Sequence, residues 1–298
     1  MSRILIVGDG RPGHENQSIA LAKHRGAEPM LLRVEERSGG RTLGRALRMA
    51  GRVGAGYRRL PEPPAGKFEA VAGAGSATYG AVLYYATRLG VPSVAMMLPP
   101  GPLRRRFDRI FAQSHDRPPR RSNIVEIPAN FAYTEPRGIY RAAGPCVGVA
   151  IGGDNRSYTL RPDGLRAALD RIAILYAGYE IAVTTSVRTS PEIEELVASY
   201  GFGYTLIYRR DPVNPFPDFL AQCERVFVTA DSTSMISEAV SYGEAFVEVL
   251  PLPGGGGSKY ERFIDRLEAE GYLHRFDGTP GAARRKIDFG RYARKALG

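Results

Sequence analysis

Residues 3–18 read RILIVGDGRPGHENQS. Residues 3–7, with their apolar run at 4–7, read as a strand, and Gly8, Gly10 and Gly13 follow it before a helical pattern sets in at Asn16. Glycines there permit backbone angles and close approaches that a side chain forbids, while the helix start behind them carries unpaired N–H groups and partial positive charge. A strand leaving through such a loop into a helix predicts a parallel sheet with helices packed on it. The alternation continues along the chain. Further β-rich runs fall at 30–34, 70–74, 93–97, 109–112 and 124–127, then at 146–151, 180–184, 205–208, 225–228 and 245–250. Helical stretches lie between them at 16–23, 78–89, 165–176, 191–200 and 234–242. That spacing implies doubly wound α/β sheets with right-handed crossovers. The series breaks at residues 133–145, YTEPRGIYRAAGP, which is rich in Pro, Gly and charge and lacks an apolar period. We expect two Rossmann-like domains, residues 1–140 and 141–281, facing a central cleft, and a basic helical tail over 282–298.

The composition fits this reading. A chain of 298 residues with 43% hydrophobic content has room for two buried cores, and no run reaches the ~18 apolar residues of a membrane span. Met1-Ser2-Arg3 runs directly into a strand, without the regions of a secretory signal, so we expect a cytoplasmic protein. The two cysteines, Cys146 and Cys223, sit in apolar segments without metal-ligand spacing, so we expect small buried hydrophobes, no disulfide and no zinc. A net charge of +10 favours anionic partners. Nucleic acid is disfavoured among them, because the aromatics are not interleaved with the arginines as a stacking platform requires.

In open α/β sheets ligands bind beyond the carboxyl ends of the strands, so the loops after the strands hold the candidate chemistry. In the first loop His14 is a candidate general base, oriented by Asp9 or Glu15, with Gly10, Arg11, Gly13, Asn16 and Gln17 around it. The plain reading beside it is a turn capped by Asp9 and a solvated His14. GAGSATYG (73–80) repeats the pattern: Gly75 allows close approach of a ligand, and Ser76 and Thr78 either face that ligand or cap the helix. FAQSHDRPPRR (111–121) adds His115. In the second half, Gly152, Gly153, Asp154, Arg156 and Ser157 suit a diphosphate, which takes backbone donors and a planar fork of N–H groups. Thr185, Ser186 and Arg188 follow the next strand. Asp231, Ser232, Thr233, Ser234 and Met235 lead into a helix bearing Glu238; their donors suit phosphate oxygens and Glu238 suits paired ribose hydroxyls, whereas the plain reading is an N-cap and a solvated glutamate.

Six stretches, DGRPGHENQS, IGGDNRSY, TTSVRTSP, NPFPDFLA, TADSTSMISEA and LPLPGGGGSKYERF, resemble in order and spacing the family named for the plant mitochondrial-fission protein "elongated mitochondria". Bacterial members of that family resemble glycosyltransferases of the GT-B fold. The resemblance implies a GT-B-like architecture in which Gly153 to Ser157 and Asp231 to Met235 face the diphosphate of a nucleotide-sugar donor and Glu238 holds its ribose. It further implies a histidine in the acceptor-side loop as base, and a final helix that crosses back to the first domain. No D-x-D sequence is present, and the position eight residues after Glu238 is Phe246 rather than a second glutamate. The expectation is a metal-independent, inverting glycosyl transfer needing no cofactor, with Arg156, Arg188 and Lys259 stabilising the leaving diphosphate and an acceptor that is a glycan or lipid-linked. A nucleotide-sugar epimerase or hydrolase, and a non-catalytic adaptor, are the rivals. RTLGRALRMAGRVGAGYRR (41–59) and LPPGPLRRRF (98–107) combine apolar residues with arginines, and suit either an anionic membrane surface touched peripherally or a helix covering the core.

Overall fold

The computed structural model describes residues 2–36 and 56–295; most of the amphipathic stretch read at 41–59 lies outside these residues. The chain divides into two units, one running to Tyr133 and resuming at Asp288, the other Thr134–Ile287.

Unit 1 opens with β1 (Arg3–Gly8), α1 (Pro12–His24) and β2 (Glu28–Arg33), and then a short antiparallel pair, β3 (Glu35–Glu36) and β4 (Tyr57–Arg59). It continues through β5 (Ala70–Gly73), α2 (Tyr79–Leu89), β6 (Ser93–Ala95), β7 (Arg109–Gln113) and β8 (Ile124–Ile127). The main sheet is parallel throughout, in the order β2-β1-β5-β6-β7-β8. Ile4, Leu5, Ile6 and Val7 are at most 1% exposed, as expected of a central parallel strand covered on both faces. The order reverses between β1 and β5, and that switch point is where the loop after β1 emerges.

Unit 2 contains β9 (Cys146–Ala150), α3 (Pro162–Leu175), β10 (Glu180–Thr184), α4 (Pro191–Ser199), β11 (Tyr204–Leu206) and α5 (Phe216–Gln222). It is completed by β12 (Arg225–Thr229), α6 (Thr233–Ala239), β13 (Phe246–Leu250), α7 (Lys259–Ala269) and β14 (His274–Arg275). The parallel sheet has the order β11-β10-β9-β12-β13-β14, which counted along the chain is the doubly wound dinucleotide-binding order with its switch point between β9 and β12. Leu165, Leu169 and Ile172 recur at helical spacing on α3 and bury one face against Val147, Val149 and Val183. Each such side chain stabilises the unit by about 1.5–3 kcal/mol.

Both units are therefore doubly wound α/β, as the alternation of patterns predicted. Two expectations change. The stretch at 133–145 is not a free tether: the buried carboxylate of Asp218, on α5, accepts hydrogen bonds from the backbone N–H groups of Arg137, Gly138, Ile139 and Tyr140 at 2.8 to 3.3 Å. Among the described residues of the tail, only α8 (Phe289–Arg294) is helical. Before it the chain runs along unit 2, where Ala283 O accepts from Val247 N, Ile287 N donates to Val240 O, and the Lys286 ammonium donates to Ala239 O and Ala245 O. These pairings leave the segment's backbone no i→i−4 ladder. α8 itself packs on α1 within unit 1, with Phe289 stacked 4.8 Å from Phe131.

Candidate functional site

At the switch point of unit 1, β1 ends at Gly8 and α1 begins at Pro12, whose fixed φ suits a first helical residue and whose missing N–H is no loss there. No side chain caps this helix start. His14, in its first turn, holds Asp9 Oδ2 with Nδ1 at 2.9 Å, and the Asp9 side chain is only 7% exposed. Nδ1–H donating to this carboxylate leaves the lone pair on Nε2. The imidazole also lies close against the loop after β5. Gly75 has φ +86, and a Cβ there would lie 2.5 Å from His14 Cε1, so only glycine lets the loop after β5 close against the ring.

Asp9, and not Glu15, is thus the partner of His14. Glu15 is buried and serves the loop: it accepts from Gly10 N at 2.9 Å and takes both Arg33 Nε and Nη2 at 2.9 Å. The Arg33 hydrogen bonds hold the Glu15 carboxyl below its ordinary value. Gln17 is buried as well, receiving a hydrogen bond from Gln113 Nε2 at 3.0 Å and donating to Gly13 O. Arg11, Gly13, Asn16 and Ser76 are exposed beside the loop. Neither hydroxyl after β5 caps α2, and Thr78 Oγ1 donates back to Ala74 O and Gly75 O. His115 follows β7, three strands from β1 and hence about 14 Å away across the sheet. It is buried, with Asp116 Oδ1 at 3.9 Å from Nε2, and does not join the His14 pair.

In unit 2 the loops after β9, β10, β12 and β13 are tied to one another. Asp231 is the hub. Its side chain is fully buried and accepts from Gly153 N at 3.0 Å, Thr229 Oγ1 at 2.6 Å and Arg188 Nη2 at 2.6 Å. A Cβ on Gly152 would lie 2.2 Å from an Asp231 oxygen and one on Gly153 would lie 2.1 Å from Arg188 O, so both glycines are demanded by this packing. Asn155 Nδ2 donates to Asp231 O, and its Oδ1 receives Ser157 N and Tyr158 N. Asp154 Oδ1 receives Leu160 N. Ser157 O then accepts Gly255 N at 2.7 Å, which brings the glycine run before α7 alongside.

Several residues read as ligand contacts therefore hold the loops. Asp231 faces inward; Ser232 Oγ is the N-cap of α6, accepting from Met235 N; Thr185 Oγ1 accepts from Tyr208 N, and Ser186 Oγ sits 3.3 Å from Thr189 Oγ1. What remains turned outward is Arg156, Ser234, part of the Arg188 guanidinium, and Lys259 and Met235, both half-buried. Thr233 and Glu238 on α6 are likewise half-buried, and desolvation raises the Glu238 carboxyl to about 7. Sequence reading missed Asp218 and Thr189, whose hydroxyl donates to Gly152 O; a polar residue buried to serve the backbone leaves no spacing pattern. Among the described residues, no group of three or more His, Cys, Asp or Glu is placed to hold a metal ion, and no helix is long and apolar enough to cross a membrane.

Comparison with known proteins follows the same lines. The family described as Mitochondrial fission ELM1 matches residues 12–294. A curated relative, the uncharacterized protein RP120 of Rickettsia prowazekii, is 30% identical over 125 residues, 40% of this chain and 35% of that protein, so the match spans about a third of the relative's length. Among solved structures, one assigned as a UDP-N-acetylglucosamine 2-epimerase from Listeria monocytogenes aligns with TM-score 0.54 and 13% identity, over 99% of this chain and 87% of that one. The glycosyltransferase SnogD from Streptomyces nogalater aligns with TM-score 0.51 and 15% identity, over 99% and 94%. A UDP-glucosyltransferase from Polygonum tinctorium aligns with TM-score 0.50 and 10% identity, over 99% and 92%. At these identities the likeness establishes the fold, which is GT-B-like.

Proposed function

The chain belongs to the mitochondrial fission ELM1 family, and from that premise we propose that it is a metal-independent, inverting glycosyltransferase using a nucleoside-diphosphate sugar. The Asp9–His14 pair carries this reading: a buried carboxylate fixing one imidazole nitrogen leaves the other as a general base. His14 Nε2 takes the proton of the acceptor hydroxyl as its oxygen attacks the anomeric carbon. The bond from that carbon to the diphosphate breaks, and its electron pair leaves on the phosphate oxygen. Arg156, Lys259 and the solvent-exposed part of Arg188 stabilise that charge more in the transition state than before it. Asp231 holds Arg188 in place, and the ionised Glu238 carboxylate accepts from the ribose hydroxyls. The acceptor is a glycan or lipid-linked hydroxyl compound. The exposed arginines 105, 106, 117, 120 and 121 of unit 1 suit a peripheral contact with an anionic membrane face in the cytoplasm, and vesicle co-sedimentation that fails at low salt would remove that contact.

The test is thermal unfolding of the whole chain with UDP, GDP, ADP, CMP and their sugar conjugates. Selective stabilisation by one diphosphate, about 2.7 kcal/mol at ~100 times its dissociation constant, is expected. Release of that diphosphate should require an added acceptor and should fall roughly 10²–10⁴-fold in His14→Ala, with nucleotide binding unchanged. Consumption of the sugar nucleotide without acceptor would instead mark an epimerase or hydrolase. Absence of any shift at millimolar ligand would refute the donor site and favour an adaptor.

A further inference from the structure

The two cysteines are 77 positions apart in the chain, yet their sulfurs lie 3.1 Å from each other. Cys146 is the first residue of β9, and Cys223 is the C-cap of α5. Both are free thiols, buried in the fold. Two thiols that merely fill space sit a van der Waals diameter apart. These are within hydrogen-bonding distance, and a movement of about 1 Å would bring them to the ~2.05 Å of a disulfide.

Both also line a cavity of about 420 Å³ at the amino ends of β9, β12 and β13, bordered by Gln222, Tyr242, Glu244 and Arg284. The candidate donor loops leave the opposite, carboxyl ends of the same strands. Thus the pair belongs to no site described above, and the cavity offers it to small solutes. The thiols are also unequal. The hydrogen bond between the two sulfurs, with the Tyr140 hydroxyl beside it, lowers Cys146 to about 7. Cys223 moves upward, since its hydrogen bond with Cys146 favours the protonated thiol and burial disfavours its thiolate. A thiolate next to a protonated thiol is the arrangement in which one sulfur attacks and the other resolves.

We propose that Cys146 and Cys223 form an oxidation site for hydroperoxides, converted by them to a disulfide that low-molecular-weight thiols reduce. The Cys146 thiolate attacks a peroxide oxygen. The O–O bond breaks, water (or an alcohol, from an organic hydroperoxide) leaves, and Cys146 carries a sulfenic acid. The Cys223 sulfur then attacks the Cys146 sulfur, the S–O bond breaks, and its proton departs with the hydroxyl as a second water. Two thiols lose two electrons and one peroxide gains them. Such pairs, where they occur in reducing compartments, are transient and redox-sensing.

The experiment exposes the full-length chain to hydrogen peroxide, denatures it, blocks free thiols with N-ethylmaleimide and maps the peptides. Both thiols should be lost together, as one peptide pair joining Cys146 to Cys223, and dithiothreitol should restore both. Cys223→Ala should stop at a sulfenic acid on Cys146, trapped by dimedone, while Cys146→Ala should give no adduct. Alkylation of Cys146 should show an inflection near pH 7 that rises in Cys223→Ala. Two thiols still open to maleimide after peroxide treatment, or a link formed only between separate molecules, would overturn the proposal. The wild-type mapping decides this even where a variant fails to fold.

Discussion

Asp231→Ala removes the acceptor on which three elements of unit 2 converge. The carboxylate is fully buried and receives Gly153 N, Thr229 Oγ1 and Arg188 Nη2. A hydrogen bond to a charged group contributes about 1.5–3 kcal/mol, and the substitution strands the Gly153 N–H and the Thr229 hydroxyl away from water. The Arg188 side chain is 38% exposed and recovers solvation, so its share is discounted to about 1 kcal/mol or less. These contributions give a loss of about 4 kcal/mol, near the range found when one partner of a buried pair is removed. With a urea slope of about 2–3 kcal/mol per molar, the midpoint of equilibrium unfolding should fall by roughly 1.3–2 M. Asp231→Asn keeps one acceptor oxygen in place of two, enough for Gly153 N or Thr229 Oγ1 but not both, and should lose about half as much. A fall of less than about 0.5 M in the alanine variant would refute the claim that Asp231 organises the loops, and would return it to the surface where a ligand could meet it.

Other substitutions separate positioning from binding. Gly75→Ala places a Cβ against the His14 ring at a φ of +86 and should abolish acceptor-dependent turnover while leaving the nucleotide-induced thermal shift intact, which the two assays read in parallel. Glu238 has its folded pKa raised to about 7 from an ordinary 4.5, so the folded state binds the extra proton and wild-type stability falls as pH rises from about 4.5 through 7. Glu238→Gln should therefore be more stable than wild type in urea at pH 8, the difference vanishing toward pH 4.5, and nucleotide affinity of the wild type should rise through pH 7 as the ribose-binding carboxylate ionises. Asp218→Ala frees four backbone N–H groups of residues 137–140 and should cost about 3 kcal/mol, with hydrogen exchange accelerating first in that segment.

The strands were legible because fully buried parallel strands are short apolar runs bounded by turn residues. β8 and β10 fall where the runs at 124–127 and 180–184 placed them, and β1 and β12 differ by one residue at one end. β14 and the β3–β4 pair escaped because each is two or three residues long and polar, with too few positions to show a period. α7 did carry a signal, Ser258 followed by Glu261, and the structure shows Ser258 Oγ accepting from Glu261 N. The site was legible as loops but not as roles. Sequence proximity made Glu15 and Asp9 equal candidates to orient His14, and only the bidentate grip of Arg33, arriving from β2, decides between them. Likewise nothing in TADSTS tells an outward aspartate from an inward one. That depends on Arg188, contributed by a loop more than forty residues earlier.

The chain leaves unit 1 at Tyr133 and returns to it only at Asp288. Phe131, His24 and α1 are covered by Phe289 of α8, so the aromatic face of unit 1 is incomplete until that helix exists. During synthesis, at about 5–20 residues per second, α8 follows the whole of unit 2, so Phe131 waits at least several seconds for its cover. A chain cut before residue 288 would therefore keep every segment of unit 2 and lose the cover of Phe131 and His24, so damage at the far end of the sequence would be felt in the first unit rather than in the second.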